Sequence, residues 1–128
     1  MEVLMGTFAV TTGKTGIKFD LKAGNGEIIA SSEAYSSAAA CRKGIESVRR
    51  NAADANLEDQ TEEGFATAKH PKFELYSDKA GEFRFRLKAK NGEIIAVSEG
   101  YKSKASCLDG IASVRRNASA SEIFYLEA

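Results

Sequence analysis

Tryptophan is absent, and proline (Pro71) and histidine (His70) occur once each in the 128 residues. There are two cysteines, Cys41 and Cys107. One histidine and two widely separated cysteines, with no C-x-x-C or H-E-x-x-H pattern, do not supply the usual ligand set of a zinc site. G-x-S-x-G is also missing, so the parts of a serine hydrolase are not in view. The one close glycine pair, Gly24 and Gly26 in AGNGE, belongs to a hairpin and not to a loop opening a helix, so it does not cradle phosphate. No apolar run approaches the roughly 20 residues that cross a bilayer. The start, MEVLMGTFAV, lacks the basic and long apolar regions of a secretory signal. These absences lead to an expected soluble cytoplasmic protein with no metal, no cofactor, no membrane partner and no catalytic residues.

What is present is repetition. Ile17 to Ala52, IKFDLKAGNGEIIASSEAYSSAAACRKGIESVRRNA, returns as FRFRLKAKNGEIIAVSEGYKSKASCLDGIASVRRNA from Phe83 to Ala118, with 24 of 36 positions identical in an ungapped alignment. Both cysteines lie at equivalent places, so their even number follows from the repeat, and both read as reduced core residues. At 43% hydrophobic and 28% charged, the chain has the composition of an ordinary globular domain.

Each copy has the same internal grammar. Thr7 to Thr11 places Phe8 and Val10 on one strand face, and Ile17, Phe19 and Leu21 alternate with Lys18, Asp20 and Lys22 along a second strand. Asn25-Gly26 predicts a two-residue type I′ hairpin into a third strand, Glu27 to Ser32. The apolar sheet face then needs a cover. Ser36 or Ser37 caps a helix on which Cys41, Ile45 and Val48 form a stripe, Arg49 and Arg50 occupy the last turn, and Asn51 ends it. Gly44 costs such a helix about 1 kcal/mol relative to alanine. Its return as Gly110 implies a close approach of helix backbone to sheet. The expected core is Phe19, Leu21, Ile28 or Ile29, Cys41, Ile45 and Val48, with their counterparts 66 positions later.

Zero net charge conceals a pattern. Residues 53–64, ADANLEDQTEEG, hold five acidic and no basic side chains, whereas the remainder carries 18 basic and 13 acidic. With Leu57 as its only large apolar residue, this connector reads as a solvated acidic linker. Residues 65–70 and 119–128 then read as closing strands of the first and second repeats. The repeat cores run over 6–52 and 71–118, and the whole of 1–128 reads as a single pseudo-dimeric domain.

The paired LKA, NGEIIA, GI.SVRRNA and S-E-x-Tyr elements resemble the YegP-like proteins, small tandem-repeat proteins of uncharacterised function. That resemblance implies an α+β fold of two βββαβ units sharing one antiparallel sheet, both helices on one face, and the last strands exchanged between units. It implies no activity.

Two surfaces remain as functional candidates. Lys18, Lys22, Arg84, Arg86 and Lys88 fall on the strand faces opposite Phe19, Leu21, Phe85 and Leu87, a basic stripe able to follow a phosphate backbone weakly. Tyr35 and Tyr101, each two residues after a glutamate, sit where strand meets helix and suit a protein contact or self-association. The residues thus point to a non-enzymatic interaction or binding module of unknown partner, with weak single-stranded nucleic-acid binding as the alternative.

Overall fold

A computed structural model describes residues 6–119 and 122–126. Strands β1 (Thr7–Gly13), β2 (Gly16–Lys22) and β3 (Ile28–Ser31) form an antiparallel meander, in which Phe8 lies opposite Leu21 and Val10 opposite Phe19. The alternation buries Phe8, Phe19 and Leu21 completely. Of the two candidate isoleucines in β3, Ile29 enters the core and Ile28 is 41% exposed. The hairpin differs from the expected type I′ turn. Among the described residues none other than glycine has positive φ, and the Gly26 N–H donates to the Ala23 carbonyl with the Gly26 φ at +88°. The connection is therefore a β-turn followed by a left-handed glycine, the geometry that introduces a bulge, and the β2–β3 register shifts at Leu21 and Lys22.

Helix α1 (Ala38–Asn51) begins where the Ser37 hydroxyl accepts the Ala40 N–H at 3.0 Å, and α2 (Lys104–Ala118) begins likewise at Ser103, which accepts the Ser106 N–H at 3.1 Å. Ser37→Ala is expected to lower stability by about 1 kcal/mol, and Ser103→Ala by a similar amount, measurable by urea unfolding. Asn51 does not end α1 by a left-handed turn; its amide donates to the Ser47 carbonyl at 2.7 Å. The carbonyls of Ala52 and Ala53, just past the end of α1, are met from the other repeat, where the Arg115 guanidinium donates to both.

The second copy supplies β5 (Lys72–Ser77), β6 (Phe83–Lys88) and β7 (Ile94–Val97). Two further strands, β4 (Asn56–Asp59) and β8 (Glu122–Leu126), complete one eight-stranded sheet in the order β4-β5-β6-β7-β3-β2-β1-β8. The meanders meet through Ser31 and Val97 of β3 and β7. Buried residues of both helices, including Cys41, Ile45, Val48, Cys107, Ile111 and Val114, join one apolar cluster with Phe8, Phe19, Phe73 and Phe85. Neighbouring aromatic rings meet edge to face, Phe8 with Phe19 and Phe73 with Phe85, at 5.6 and 5.8 Å.

Three features correct the reading from sequence. The sheet is mixed, because β8 runs parallel to β1 and β4 parallel to β5. Residues 53–64 are not merely a linker, since they contain β4. Residues 65–70, expected as a strand, have no strand structure. A parallel neighbour cannot follow β4 through a tight turn, so the chain must travel back to the start of β5. Residues 60–71 make that return, and the Ala68 N–H donates to the Glu58 carboxylate at 2.7 Å while the Lys69 carbonyl accepts from Asn56. Polar anchoring thus takes the place of a ladder.

Candidate binding grooves between the repeats

Tyr35 and Tyr101 occupy equivalent positions. A short bridge to Ile17 fixes the Tyr35 backbone, and one to Phe83 fixes Tyr101. Each ring stacks on a core phenylalanine, Phe19 or Phe85, at 6.4 Å between centroids. The ring then passes over a helix glycine. A Cβ at Gly44 would overlap the Tyr35 hydroxyl and come within 2.7 Å of Cζ; at Gly110 it would meet Tyr101 in the same way. The close approach inferred for these glycines is therefore to a tyrosine ring as well as to the sheet.

Beyond each hydroxyl lies a groove built from both repeats. The first, about 300 Å³, is lined by Tyr35, Ala40, Lys43, Gly44 and Ser47 of the first repeat and by Ala89, Asn91, Glu93 and Ile95 of the second. Its counterpart, about 270 Å³, takes Tyr101, Ser106, Asp109, Gly110 and Ser113 from the second repeat and Ala23, Asn25, Glu27 and Ile29 from the first. Position by position these sets lie 66 residues apart, and they differ only at Ala40/Ser106 and Lys43/Asp109.

The electrostatics of the two tyrosines match as well. Burial pushes the Tyr35 phenol above its ordinary value, and Cys41, Glu33 and Glu93 act in the same direction. Burial does the same to Tyr101, together with Cys107, Glu99 and Glu27. Glu93 and Glu27 come in each case from the opposite repeat. Both phenols thus remain protonated donors at neutral pH, facing a carboxylate across the groove. Burial also raises the Cys41 thiol, and takes Cys107 to about 11, so neither is a ready nucleophile. Among the described residues no group of three metal-ligating side chains comes together, and no helix is long and apolar enough to cross a membrane.

The basic stripe looks different in place. Arg84 pairs with Asp78 at 2.7 Å, Arg86 with Glu74 at 2.5 Å, and Lys88 with Glu74 at 3.2 Å, while Arg86 also lies over the Tyr76 ring. Lys18 and Lys22 make no ion pair among the described residues. The structure therefore breaks the stripe into a neutralised half and an unpaired half. His70 lies apart, its ring facing Gly92 in the β6–β7 turn.

Sequence reasoning missed a buried charge cluster. Lys72, 4% exposed, reaches Glu58 at 2.7 Å and Glu74 at 3.2 Å, and both glutamates are buried, at 2% and 3% exposed. Burial alone would raise the Glu58 carboxyl; hydrogen bonds from Lys72, Gln60 and Ala68 outweigh it and hold the group at about 2. Glu74 is likewise held low, against burial, by Arg86, Lys88 and Lys72. The repeat pattern held no signal for the cluster, because Glu74 matches Ala9 when Phe73 is set against Phe8.

This fold and its two repeats define a class. The family described as "Domain of unknown function (DUF1508)" matches residues 15–59 and 78–124, and the chain belongs to it. Among its relatives is the UPF0339 protein YegP of Yersinia pestis, 39% identical over 114 residues and aligned over 88% of each chain. A UPF0339 protein of Methanosarcina acetivorans is 57% identical over 56 residues, which are 44% of this chain and 97% of that one. A solution NMR structure of a protein of unknown function, yegP from E. coli, is 33% identical and superposes with a TM-score of 0.78, covering 100% of this chain and 98% of the other. These relatives are uncharacterised, and their names and descriptions indicate no enzymatic activity or specific function.

Proposed function

We propose that the chain is a non-catalytic binding module whose ligand-contacting surfaces are the two grooves at Tyr35 and Tyr101. One observation carries this reading: seven of the nine residue pairs lining the grooves are identical between repeats, whereas the outward residues Arg42 and Leu108 have diverged. Packing accounts for Ile29, Ile95 and the glycines. The hairpin turns account for Asn25 and Asn91, whose side-chain oxygens accept the Glu27 and Glu93 N–H groups, but neither packing nor the turns account for the side chains of Glu27 and Glu93, which are exposed at the rims. The pairing of β8 with β1 and of β4 with β5 supports a single pseudo-dimeric domain with exchanged closing strands, which would hold both grooves in fixed relation. Two buried free thiols favour a reducing cytoplasmic setting. The alternative, single-stranded nucleic acid on Lys18, Lys22, Arg84, Arg86 and Lys88, has weaker support, since three of these five cations already have carboxylate partners.

The test is an amide NMR screen of the labelled protein with a library of small polar fragments of mixed charge. Hits should cluster on Tyr35, Ser47 and Glu93, or on Tyr101, Ser113 and Glu27. Hits that gather only on β2 and β6, or nowhere, would remove the groove reading.

A further inference from the structure

The two grooves share a scaffold but not a charge. Along α1, Lys43, Ser47 and Arg50 recur at helical spacing on the side facing the β6–β7 turn, and a second hollow of about 450 Å³ continues the first past Ser47, Arg50, Asn51, Ala89, Lys90 and Asn91. The trough therefore has three cations beside it. Lys43, Arg50 and Lys90 form no ion pair among the described residues, and Glu93, at the Tyr35 end, is the one carboxylate among the residues that line the trough. Asn91 uses its side-chain oxygen to accept the Glu93 N–H at 3.0 Å, which leaves its amide nitrogen as a donor toward the trough.

Across the pseudo-symmetry the same positions read otherwise. Asp109 stands where Lys43 does, and Gly24 stands where Lys90 does; Arg116 alone repeats Arg50. The carboxylates near the two tyrosines do not differ, since Glu27 and Glu99 beside Tyr101 match Glu93 and Glu33 beside Tyr35. A scaffold of identical tyrosine, glycine, serine and asparagine residues thus carries two more cations in its first copy, and a carboxylate in place of one of them in its second.

We infer that the trough between α1 and the β6–β7 turn binds a linear, multiply charged phosphate ligand, and that the equivalent groove at Tyr101 does not. Lys43 and Arg50 are seven residues apart, about 10 Å along the helix, so they engage two separate anionic groups and not one. Lys90 closes the opposite wall, and Ser47 and Asn91 donate hydrogen bonds between the charges. An arginine fork and two ammonium groups suit phosphate oxygens in this arrangement. At the far end Glu93 disfavours a further anion, so a hydroxyl- or amine-bearing end of the ligand points toward Tyr35. This inference rests on the grooves being ligand sites and names the chemistry of one of them.

Inorganic tripolyphosphate is the probe, titrated into the labelled full chain, with sodium chloride at matched ionic strength as the control. Saturable shifts are expected at Lys43, Ser47, Arg50, Lys90 and Asn91, with none at Tyr101 or Asp109. Lys43→Asp and Lys90→Gly, which copy residues the other groove already tolerates, should each weaken binding about tenfold. The converse pair, Asp109→Lys with Gly24→Lys, should install binding at Tyr101. Absent or unsaturable shifts, equal shifts in both grooves, or shifts centred on Lys18 and Lys22 would overturn the inference. Fragment hits in the grooves without tripolyphosphate binding sink the anion assignment alone; silence in both experiments sinks the groove reading as well.

Discussion

Lys72→Met is expected to destabilise the protein by about 3–5 kcal/mol, as a large drop in the urea midpoint at pH 7. Methionine matches the lysine stem in volume, so the cost is electrostatic. Removing the ammonium leaves Glu58 and Glu74 as buried carboxylates without their shared partner; Glu74 keeps Arg86 and Lys88, but Glu58 keeps only neutral donors, Gln60 and Ala68. Two further measurements separate this cause from lost packing. Combining Lys72→Met with Glu58→Leu should recover a good part of the loss, because neither buried charge then remains unmatched at that point. Acid should also narrow the gap between mutant and parent. In the parent the depressed Glu58 and Glu74 groups contribute stability that is present above the ordinary carboxylate value, about 4.3, and lost as pH falls through their lower folded values, about 2 for Glu58. In the mutant Glu58 protonates at higher pH and ceases to be a buried charge, so the difference shrinks between pH 4.3 and 2. A constant difference across that range would mean that packing, and not charge, carries the effect.

The charge cluster also shows where reading from sequence stops. Alternation at Phe19 and Leu21 and the helical spacing of Cys41, Ile45 and Val48 are local patterns whose physical cause is burial of one face, and those residues are in the core. Strand β4 has no such pattern. Asn-Leu-Glu-Asp offers one apolar residue, and what makes Glu58 buriable is Lys72, 14 positions away, together with an N–H donated from the returning chain. An acidic run looks like a solvated linker until its counter-ion is placed. The grooves were hidden for a different reason. Tyr35 and Tyr101 stand out as a pair, but their partners across the groove, Glu93 and Glu27, belong to the other copy. With two nearly identical repeats, contacts within one repeat and contacts between repeats are equally compatible with the same pattern, and only the order β7 beside β3 decides between them. The charge reversal from Lys43 to Asp109 was visible as divergence of a helix surface, yet without the facing hairpin it had no site to belong to.

Gly44→Ala together with Gly110→Ala is expected to cost about 2–4 kcal/mol, with each site contributing about half. Helix propensity alone points the other way, since alanine in place of glycine gains about 1 kcal/mol in a helix interior. The obstacle is the tyrosine. At both positions the new methyl group overlaps the phenol oxygen and lies within 2.8 Å of Cζ, and the ring has little room to retreat because it is stacked on Phe19 or Phe85. Relief requires either tilting the helix off the sheet, which opens the core beside Cys41 and Ile45, or swinging the ring out into the groove. The decisive form of the experiment reverses the sign. Tyr35→Ala removes the obstacle at a cost of its own, and in that background Gly44→Ala should become neutral or stabilising by several tenths of a kcal/mol, since the next nearest atom, the Phe19 ring edge, lies at 3.3 Å from the added methyl. If Gly44→Ala is equally damaging with and without the Tyr35 ring, the glycine is required by the helix backbone's approach to the sheet, and the tyrosine is a bystander. If the sign reverses, the Tyr35–Gly44 contact sets how far the phenol projects, and the missing side chain of a glycine fixes the groove geometry.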